Sequence, residues 1–582
     1  MPALTADNEP SYWVNNLAGN MNDKKTGNSD SPRSSELGRR DLVKLGVGAG
    51  VAAAGMLTAR GVLAQQGQSA SELPTGPLAP APQQNVQHWP EIRESDQVLS
   101  SVGTGYTTST GPGWVNNSGR VSGNGPMDEC SRRIVEWVHS YSESDLTDSL
   151  VETINYLMAD TLGSLYGGFE SEPARIGARL AQTMPGPCTV LGYGIKTTYE
   201  MAAFCNSLMI RHTDFNASPH NNEMFGGILA VGEALHSTGP QVMAAMVIAY
   251  EVVTAIGNTG LGSYDPAGWD CPYHSVGVAT GAGKLMGLSQ DQLANALSLA
   301  LVPHMPMYVC HIGTQSMWKG THSAEQVRNG VWGAMLARAG MTGPCMPFEA
   351  RDGLIAHIGP FTRDLKFPTS PDGKMALETI HGKGGGYKRW ASEGNTQTYW
   401  QWIAKPLHDW TKPEEVASID VETPYFAWQE ICDPPKWDPR NRETADHSFP
   451  YNVARGLIDG TVYLDSFTKE KYMDPVAREL MSKMRFHANL SPGFTAIVTV
   501  RKKSGEERVF KSQLNPPLTH DELVQKSNRL ADFMRVEKGQ RDRALQQWMS
   551  LKTCKDIAEP MQTLAKFGEP KPLSDMSPAR IS

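Results

Sequence analysis

The chain has 582 residues, a formal net charge of -8 at neutral pH, 40% hydrophobic residues and 20% charged residues. That length exceeds one ordinary hydrophobic core and suits two folded domains with tails. The acidic excess argues against bulk nucleic-acid binding, which favours a basic surface that replaces phosphate counterions. Eight cysteines lie at 130, 188, 205, 271, 310, 345, 432 and 554, never closer than 17 positions. No Cys-x-x-Cys pair of the zinc-ribbon kind exists, although dispersed cysteines can still converge in space.

Residues 1–38 are polar and without hydrophobic period. They lead into Arg39-Arg40-Asp41-Leu42-Val43-Lys44, a Gly/Ala/Val/Leu run to Leu57, and small residues at Val62-Leu63-Ala64. Paired arginines, a moderately apolar run and an A-x-A-like site predict an export signal over 1–65, of the twin-arginine type by its spacing. The expected location is periplasmic or otherwise exported, with the twin-arginine export machinery as a partner and no membrane attachment after cleavage. An uncleaved anchor is the alternative, but Leu42 to Leu63 only just reaches the roughly 20 apolar residues that a span requires. Lys44 and Arg60 also interrupt it. Residues 66–128, with Pro77-Leu78-Ala79-Pro80-Ala81-Pro82, read as a linker or extended arm. No later segment shows an uninterrupted apolar run of membrane-spanning length.

From 129 to 370 the apolar spacing is helical, predicting a large helical domain. Ile134, Val135 and Val138 share one face, as do Leu150, Ile154, Leu157 and Met158. Ala-, Met- and Leu-rich stretches recur at 197–211, 224–236, 240–256, 275–287, 290–301 and 323–339. Ser289 to Gln292 resembles a capping box. Between 371 and 520 the texture predicts a smaller α+β lid domain. Val416 to Thr423 and Thr495 to Val500 alternate as strands, with Arg508-Val509-Phe510 as the return strand of a hairpin, and Tyr451 to Ile458 is helical. Residues 521–582 return to helical spacing and are expected to pack on the helical domain. The fold class is therefore mainly α.

Five clusters carry chemistry-bearing residues. Asn206 to Glu223 holds Arg211, His212, Asp214, Ser218, His220 and Glu223, a set suited to acid–base work; a solvated loop with a capping Asp is the plain alternative. Gln315 to Ser323 places Lys319 beside Trp318 and Gly320, where an ammonium could meet a polyanion, or simply face water. Lys388-Arg389 follows a triple glycine and reads equally as surface charge. Arg442 to Tyr451 combines acid, imidazole, hydroxyl and phenol ahead of a helix, where backbone amides favour anions. Gly268 to His274 is a turn-rich polar loop containing Asp270 and His274. Nucleophile-elbow, Walker and His-Glu-x-x-His signatures are missing, and Gly277 to Gly283 is a weak glycine pattern without a preceding strand.

Read in order, these clusters resemble the MmgE/PrpD family of 2-methylcitrate dehydratases and cis-aconitate decarboxylases. Asn206 to Ser218, His220 to Val231, Met317 to Pro344 and Glu443 to Ala454 carry the resemblance, over roughly 130–490. It implies a helical domain with a smaller α+β lid and a pocket between them, a homodimer, and no metal or organic cofactor. By position the family's catalytic residues fall on Asp214, Ser218, His220, Lys319 and Tyr451. Substrate binding falls to Lys388, with Arg211 assisting and Asp270 or His274 in the place of a family histidine. Departures surround this chemistry: Ser218 stands for a Thr, Ala217 for an Asp, and Asn221-Asn222 for Pro-Ser.

The implied reaction is a lyase step on a small di- or tricarboxylate, most simply dehydration of a 2-methylcitrate-like hydroxy acid. A proton leaves the carbon beside a carboxylate, and fixed cations stabilise the dianion that develops. Decarboxylation or epimerisation on the same scaffold, and non-catalytic polycarboxylate binding, are the alternatives.

Overall fold

The computed structural model describes residues 127–260, 271–350, 352–358, 361, 363–370, 373–380, 386–489 and 495–572. The export-signal segment, the linker as far as residue 126, residues 268–270 of the turn-rich loop and residues 383–385 of the triple-glycine loop lie outside them.

The described chain begins with α1 (Glu129–Ser140), α2 (Asp148–Gly168) and α3 (Glu172–Ala181), then a short antiparallel pair, β1 (Cys188–Val190) and β2 (Ile195–Thr197). Six helices follow: α4 (Tyr199–His212), α5 (Phe225–Ala234), α6 (Gly239–Asn258), α7 (His274–Leu285), α8 (Gln290–Leu301) and α9 (His322–Arg338). Their starts are chemically defined. Thr147 accepts from the Leu150 amide, while Thr238 with Gln241 and Ser289 with Gln292 form reciprocal capping boxes. Each box satisfies two amides that a helix N-terminus leaves without intrahelical partners.

Helix α6 corrects one expectation. By length and composition it is apolar enough to cross a membrane, yet most of it is buried inside the fold. Val242, Met246, Ile248 and Val252 are fully buried and lie on different sides of the helix, as expected for a central core helix. The glycines of α7 explain how its neighbour approaches. A Cβ on Gly277 would sit 2.6 Å from the Ala249 carbonyl oxygen, and one on Gly281 would sit 2.7 Å from that of Ala245. Gly277 and Gly281 thus serve a close helix crossing, while Gly283 packs against Leu293 of α8 and Leu288.

The later chain holds β3 (Val416–Pro424), α10 (Arg442–Asp446), α11 (Phe449–Asp459), α12 (Pro475–Ser482), β4 (Met484–Asn489), β5 (Ile497–Lys502) and β6 (Glu507–Lys511). The strands form one sheet in the order β4-β3-β5-β6. β3 runs parallel to β4 and antiparallel to β5, and β5–β6 is the expected hairpin. The chain then closes with α13 (His520–Phe533) and α14 (Lys538–Trp548).

Buried apolar side chains form two principal clusters. One joins Leu157, Met209, Ile228, Val247 and Val331 to Leu523, Leu530 and Trp548, so α13 and α14 complete the core begun by α2. The other gathers Tyr399, Trp400, Ile419, Val421, Phe449, Tyr451 and Val498 around the sheet. The two meet through polar bonds: the Gln315 amide donates to Thr444 Oγ1 at 3.1 Å, and Asn441 Nδ2 donates to the Gln315 carbonyl at 2.7 Å.

Replacing Gly281 with Val should wedge α7 from α6, because the added carbon meets a backbone oxygen that cannot swing away. The expected loss is ~1–3 kcal/mol of unfolding free energy, measured by denaturant titration.

Candidate active site

The centre of the site is the loop that follows α4. Asp214 and His220 both have positive φ, 52° and 75°, a conformation that costs a non-glycine residue ~1–3 kcal/mol and persists only where surroundings impose it. Those surroundings are visible. Lys526 of α13 donates to the Phe215 carbonyl at 2.5 Å and to the Lys388 carbonyl at 3.0 Å, while ion-pairing with Asp160 of α2 at 2.7 Å. The other oxygen of Asp160 accepts from the Ala217 amide at 2.8 Å. One buried ion pair therefore ties the 213–220 loop to the segment carrying Lys388.

Three cations converge on Asp214. Arg211 bonds its Oδ1, Lys319 Nζ lies 3.3 Å from the same oxygen, and Lys388 Nζ lies 2.9 Å from Oδ2. Lys388 also donates to the Asp214 carbonyl at 2.8 Å. All four side chains are buried. Local sequence explains the inward turn of each lysine. Lys319 sits on a short 3-10 turn, Met317–Gly320, which lies so close to the end of α4 that a Cβ on Gly320 would be 3.1 Å from the His212 Cα. Its neighbour Trp318 faces out. In the Lys388-Arg389 pair the lysine enters the cluster, and the arginine pairs with Glu522 of α13. The water-facing alternative for Lys319 and the surface-charge alternative for Lys388 do not hold.

Burial alone would raise the Asp214 carboxyl, but Lys319, Lys388 and Arg211 outweigh it and hold the group well below the usual carboxylate range. Lys319 is itself lowered, by burial first and then by Arg211. Glu223, beside Arg211 Nε at 3.2 Å, is pulled down to about 2 by Arg211 and His220 against the effect of burial. Around these groups three cations thus face Asp214 and Glu223, with Asp446 as a further acid acting on Lys319, all in a buried place.

Two imidazoles flank Asp214. His220 Nε2 is 3.9 Å from Oδ1, and His447 Nε2 is 3.9 Å from Oδ2. Burial and Arg211 lower His220 to about 4, while burial and Lys319 hold His447 well below the ordinary histidine range. Both are neutral at pH 7. His220 Nδ1 lies 3.1 Å from Glu223 Oε1, short of in-line hydrogen-bond geometry, a looseness common before substrate binds. An ionised carboxylate there favours the proton on Nδ1 and leaves the lone pair on Nε2, toward Asp214. Asp446, 3.8 Å from His447 Nδ1, is raised to about 6, chiefly by burial. Glu393 near Lys388 is raised to about 8 by burial and Glu430.

Of the residues singled out from sequence, Arg211, Asp214, His220, Lys319 and Lys388 come together. Tyr451 does not join them. Its hydroxyl donates to the Ser466 carbonyl at 2.6 Å inside the second core, and the charges acting on it are Arg455, Asp459 and Asp474. One helical turn decides this: His447, just ahead of α11, faces Asp214, whereas Tyr451 on the helix faces the apolar cluster. Ser218 also departs from expectation, with its side chain exposed. His274 is buried with Nε2 3.3 Å from Asn221 Oδ1, and reaches the cluster through its charge on Glu223. Asp270 lies outside the described residues.

Asp214, Asp446 and His447 also present ligand atoms within 4.8 Å of one another. A divalent ion does not suit that trio, because the Asp214 oxygens already accept from one guanidinium and two ammonium groups that would repel it.

Residues 132–362 match the MmgE/PrpD N-terminal domain and residues 390–551 the MmgE/PrpD C-terminal domain. The chain belongs to the MmgE/PrpD family. Arg211, Asp214, His220 and Lys319 fall in the first match and His447 in the second, with Lys388 just ahead of the latter. Cis-aconitate decarboxylase of Aspergillus terreus is 26% identical over 238 residues, covering 38% of this chain and 47% of that protein. The chain thus spans about half the length of this relative. Human cis-aconitate decarboxylase is 23% identical over 419 residues, 67% of this chain and 85% of the relative. The 2-methylcitrate dehydratase of Salmonella typhi is 24% identical over 384 residues, 60% of this chain and 77% of the relative.

Two outcomes test this geometry. Lys526→Met should cost ~3–5 kcal/mol, since it leaves Asp160 buried without its cation; denaturant unfolding of this variant beside Lys526→Met/Asp160→Asn, with a smaller loss in the double variant, measures it. The second concerns pH. Because His220 titrates at about 4 when folded and at 6.5 ordinarily, the unfolded chain binds the extra proton first, and stability falls as pH drops from 6.5 toward 4. Thermal unfolding across that window should show a shallower decline in His220→Gln than in the unsubstituted protein.

Proposed function

We propose that the protein is a lyase acting on a small di- or tricarboxylate, with dehydration of a 2-methylcitrate-like hydroxy acid as the leading reaction. The observation that carries this reading is the convergence of Arg211, Lys319 and Lys388 on one buried carboxylate beside a neutral imidazole. Substrate carboxylates bind the two lysines, sharing them with Asp214. His220 Nε2 removes the proton from the carbon next to a carboxylate, and Glu223 steadies the imidazolium that results. Negative charge spreads onto the carboxylate oxygens, where the ammonium groups are already aligned and need no reorganisation. The electron pair then forms the carbon–carbon double bond as the hydroxyl departs, taking a proton from Asp446 in the fraction of molecules that carry it protonated, since burial raises that carboxyl to about 6. Products are the alkene and water, and these residues need no further group to balance the step.

Decarboxylation is the second reading, favoured by the names of the Aspergillus terreus and human relatives. The same cations would stabilise the carbanion-like centre left by carbon dioxide, and an imidazole would return a proton to it. Two further expectations belong here. Arg39-Arg40 with its following apolar run supports export. Half-exposed or exposed Met307, Val309, Ile312, Tyr425 and Trp428 support a homodimer.

Purified protein incubated with citrate, 2-methylcitrate or cis-aconitate in deuterated buffer, followed by proton NMR, separates these readings. New alkene marks dehydration, released carbon dioxide marks decarboxylation, and solvent exchange without net loss marks epimerisation. Binding of these acids with no chemical change would overturn the lyase assignment. Lys319→Ala, with an unchanged circular dichroism spectrum, should lower turnover at least roughly 100-fold, the scale seen when one preorganised charge-stabilising group is removed.

A further inference from the structure

A second cluster of chemistry-bearing side chains lies beyond Lys319. The segment between α8 and α9 brings Cys310 and His311 against His322, the first residue of α9, with ligand atoms of all three within 4.8 Å of one another. The two histidines are buried and Cys310 is half-exposed. Their rings stand edge to face, with centroids 5.9 Å apart.

The surroundings orient both rings in the same way. His322 Nδ1 lies 2.9 Å from the Lys319 carbonyl oxygen, which can only accept, so the ring proton sits on Nδ1. His311 Nδ1 lies 3.3 Å from Glu430 Oε1. In each case Nε2 is left as the nitrogen with the lone pair. A backbone carbonyl or a carboxylate behind Nδ1 is the arrangement that fixes the tautomer of metal-binding histidines and raises their basicity. The His311 backbone is anchored as well: its carbonyl accepts from Gln315 Nε2 at 2.8 Å and from Lys436 Nζ at 3.2 Å.

We propose that Cys310, His311 and His322 form a binding site for a single transition-metal ion of the zinc class. One thiolate and two imidazoles are the donors that zinc, cobalt and copper prefer over oxygen-seeking magnesium or calcium. A tetrahedral ion would draw the three ligand atoms to ~3.5 Å from one another, and rotation of the half-exposed Cys310 side chain supplies that movement. Three protein ligands leave the fourth position to water. The ion would sit directly behind Lys319, because the carbonyl that orients His322 belongs to that lysine. Its binding is a property of this cluster and stands whether or not the lyase reading does.

The test uses the full chain, stripped with a chelator and then titrated with Co2+ and, separately, Zn2+. One equivalent of Co2+ should give a thiolate-to-metal charge-transfer band in the near ultraviolet together with visible bands of a four-coordinate ion. Saturating Zn2+ should raise the midpoint of thermal unfolding. Cys310→Ser should abolish the charge-transfer band, and Glu430→Gln should weaken binding by roughly tenfold or more, as loss of an orienting partner does. Circular dichroism of the metal-free variants confirms that each is folded. Absence of a charge-transfer band in the unsubstituted protein, a band that persists in Cys310→Ser, or uptake of less than one equivalent would overturn the proposal.

Discussion

Removing a charged group from water is the most expensive operation in this fold, and the structure performs it several times within one loop's reach. Asp214 is tolerable as a buried anion only because a guanidinium and two ammonium groups surround it. The reverse holds for Lys319, which burial pushes down and which Asp214 and Asp446 push back up. Each charge makes the others possible. Three fixed cations are thereby gathered at one buried point.

The mutual dependence extends to the backbone. Asp214 and His220 hold conformations that their residue types disfavour, and carbonyl groups of the loop are held by Lys388 and Lys526. The groups come from α2, α4, the turn before α9, the segment at 388 and the end of α10. Two apolar cores meet around them, and neither core alone contains the whole constellation.

Much of the architecture was legible in the amino-acid pattern. The six Ala-, Met- and Leu-rich stretches fall within a residue or two of α4 to α9, because their apolar residues recur at helical spacing, and capping boxes open α6 and α8. Strands β3, β5 and β6 were expected; β4, Met484 to Asn489, was not, although Met, Phe and Ala alternate there with Arg, His and Asn. The site was partly legible. Arg211, Asp214, His220, Lys319 and Lys388 stood out as titratable residues that the family resemblance ordered, and the fold brings them together. Tyr451 was misplaced because position along a motif does not fix which side of a helix start faces the site; the acid and imidazole ahead of it, Asp446 and His447, do. Lys526 and Asp160 left no local trace at all, since 366 positions separate them and each looks like an ordinary helix-surface residue until the chain folds.

That separation has a temporal meaning. Asp160 and the 213–220 loop leave the ribosome long before Lys526 does, and until α13 arrives the carboxylate that anchors the loop lacks its counter-ion. The reactive constellation therefore cannot mature progressively from the N-terminus; the final helices must dock before it exists. A chain truncated before α13 would hold Asp160 without its counter-ion and the 213–220 loop without the Lys526 anchor. Formation of the charged cluster and completion of the chain become one event.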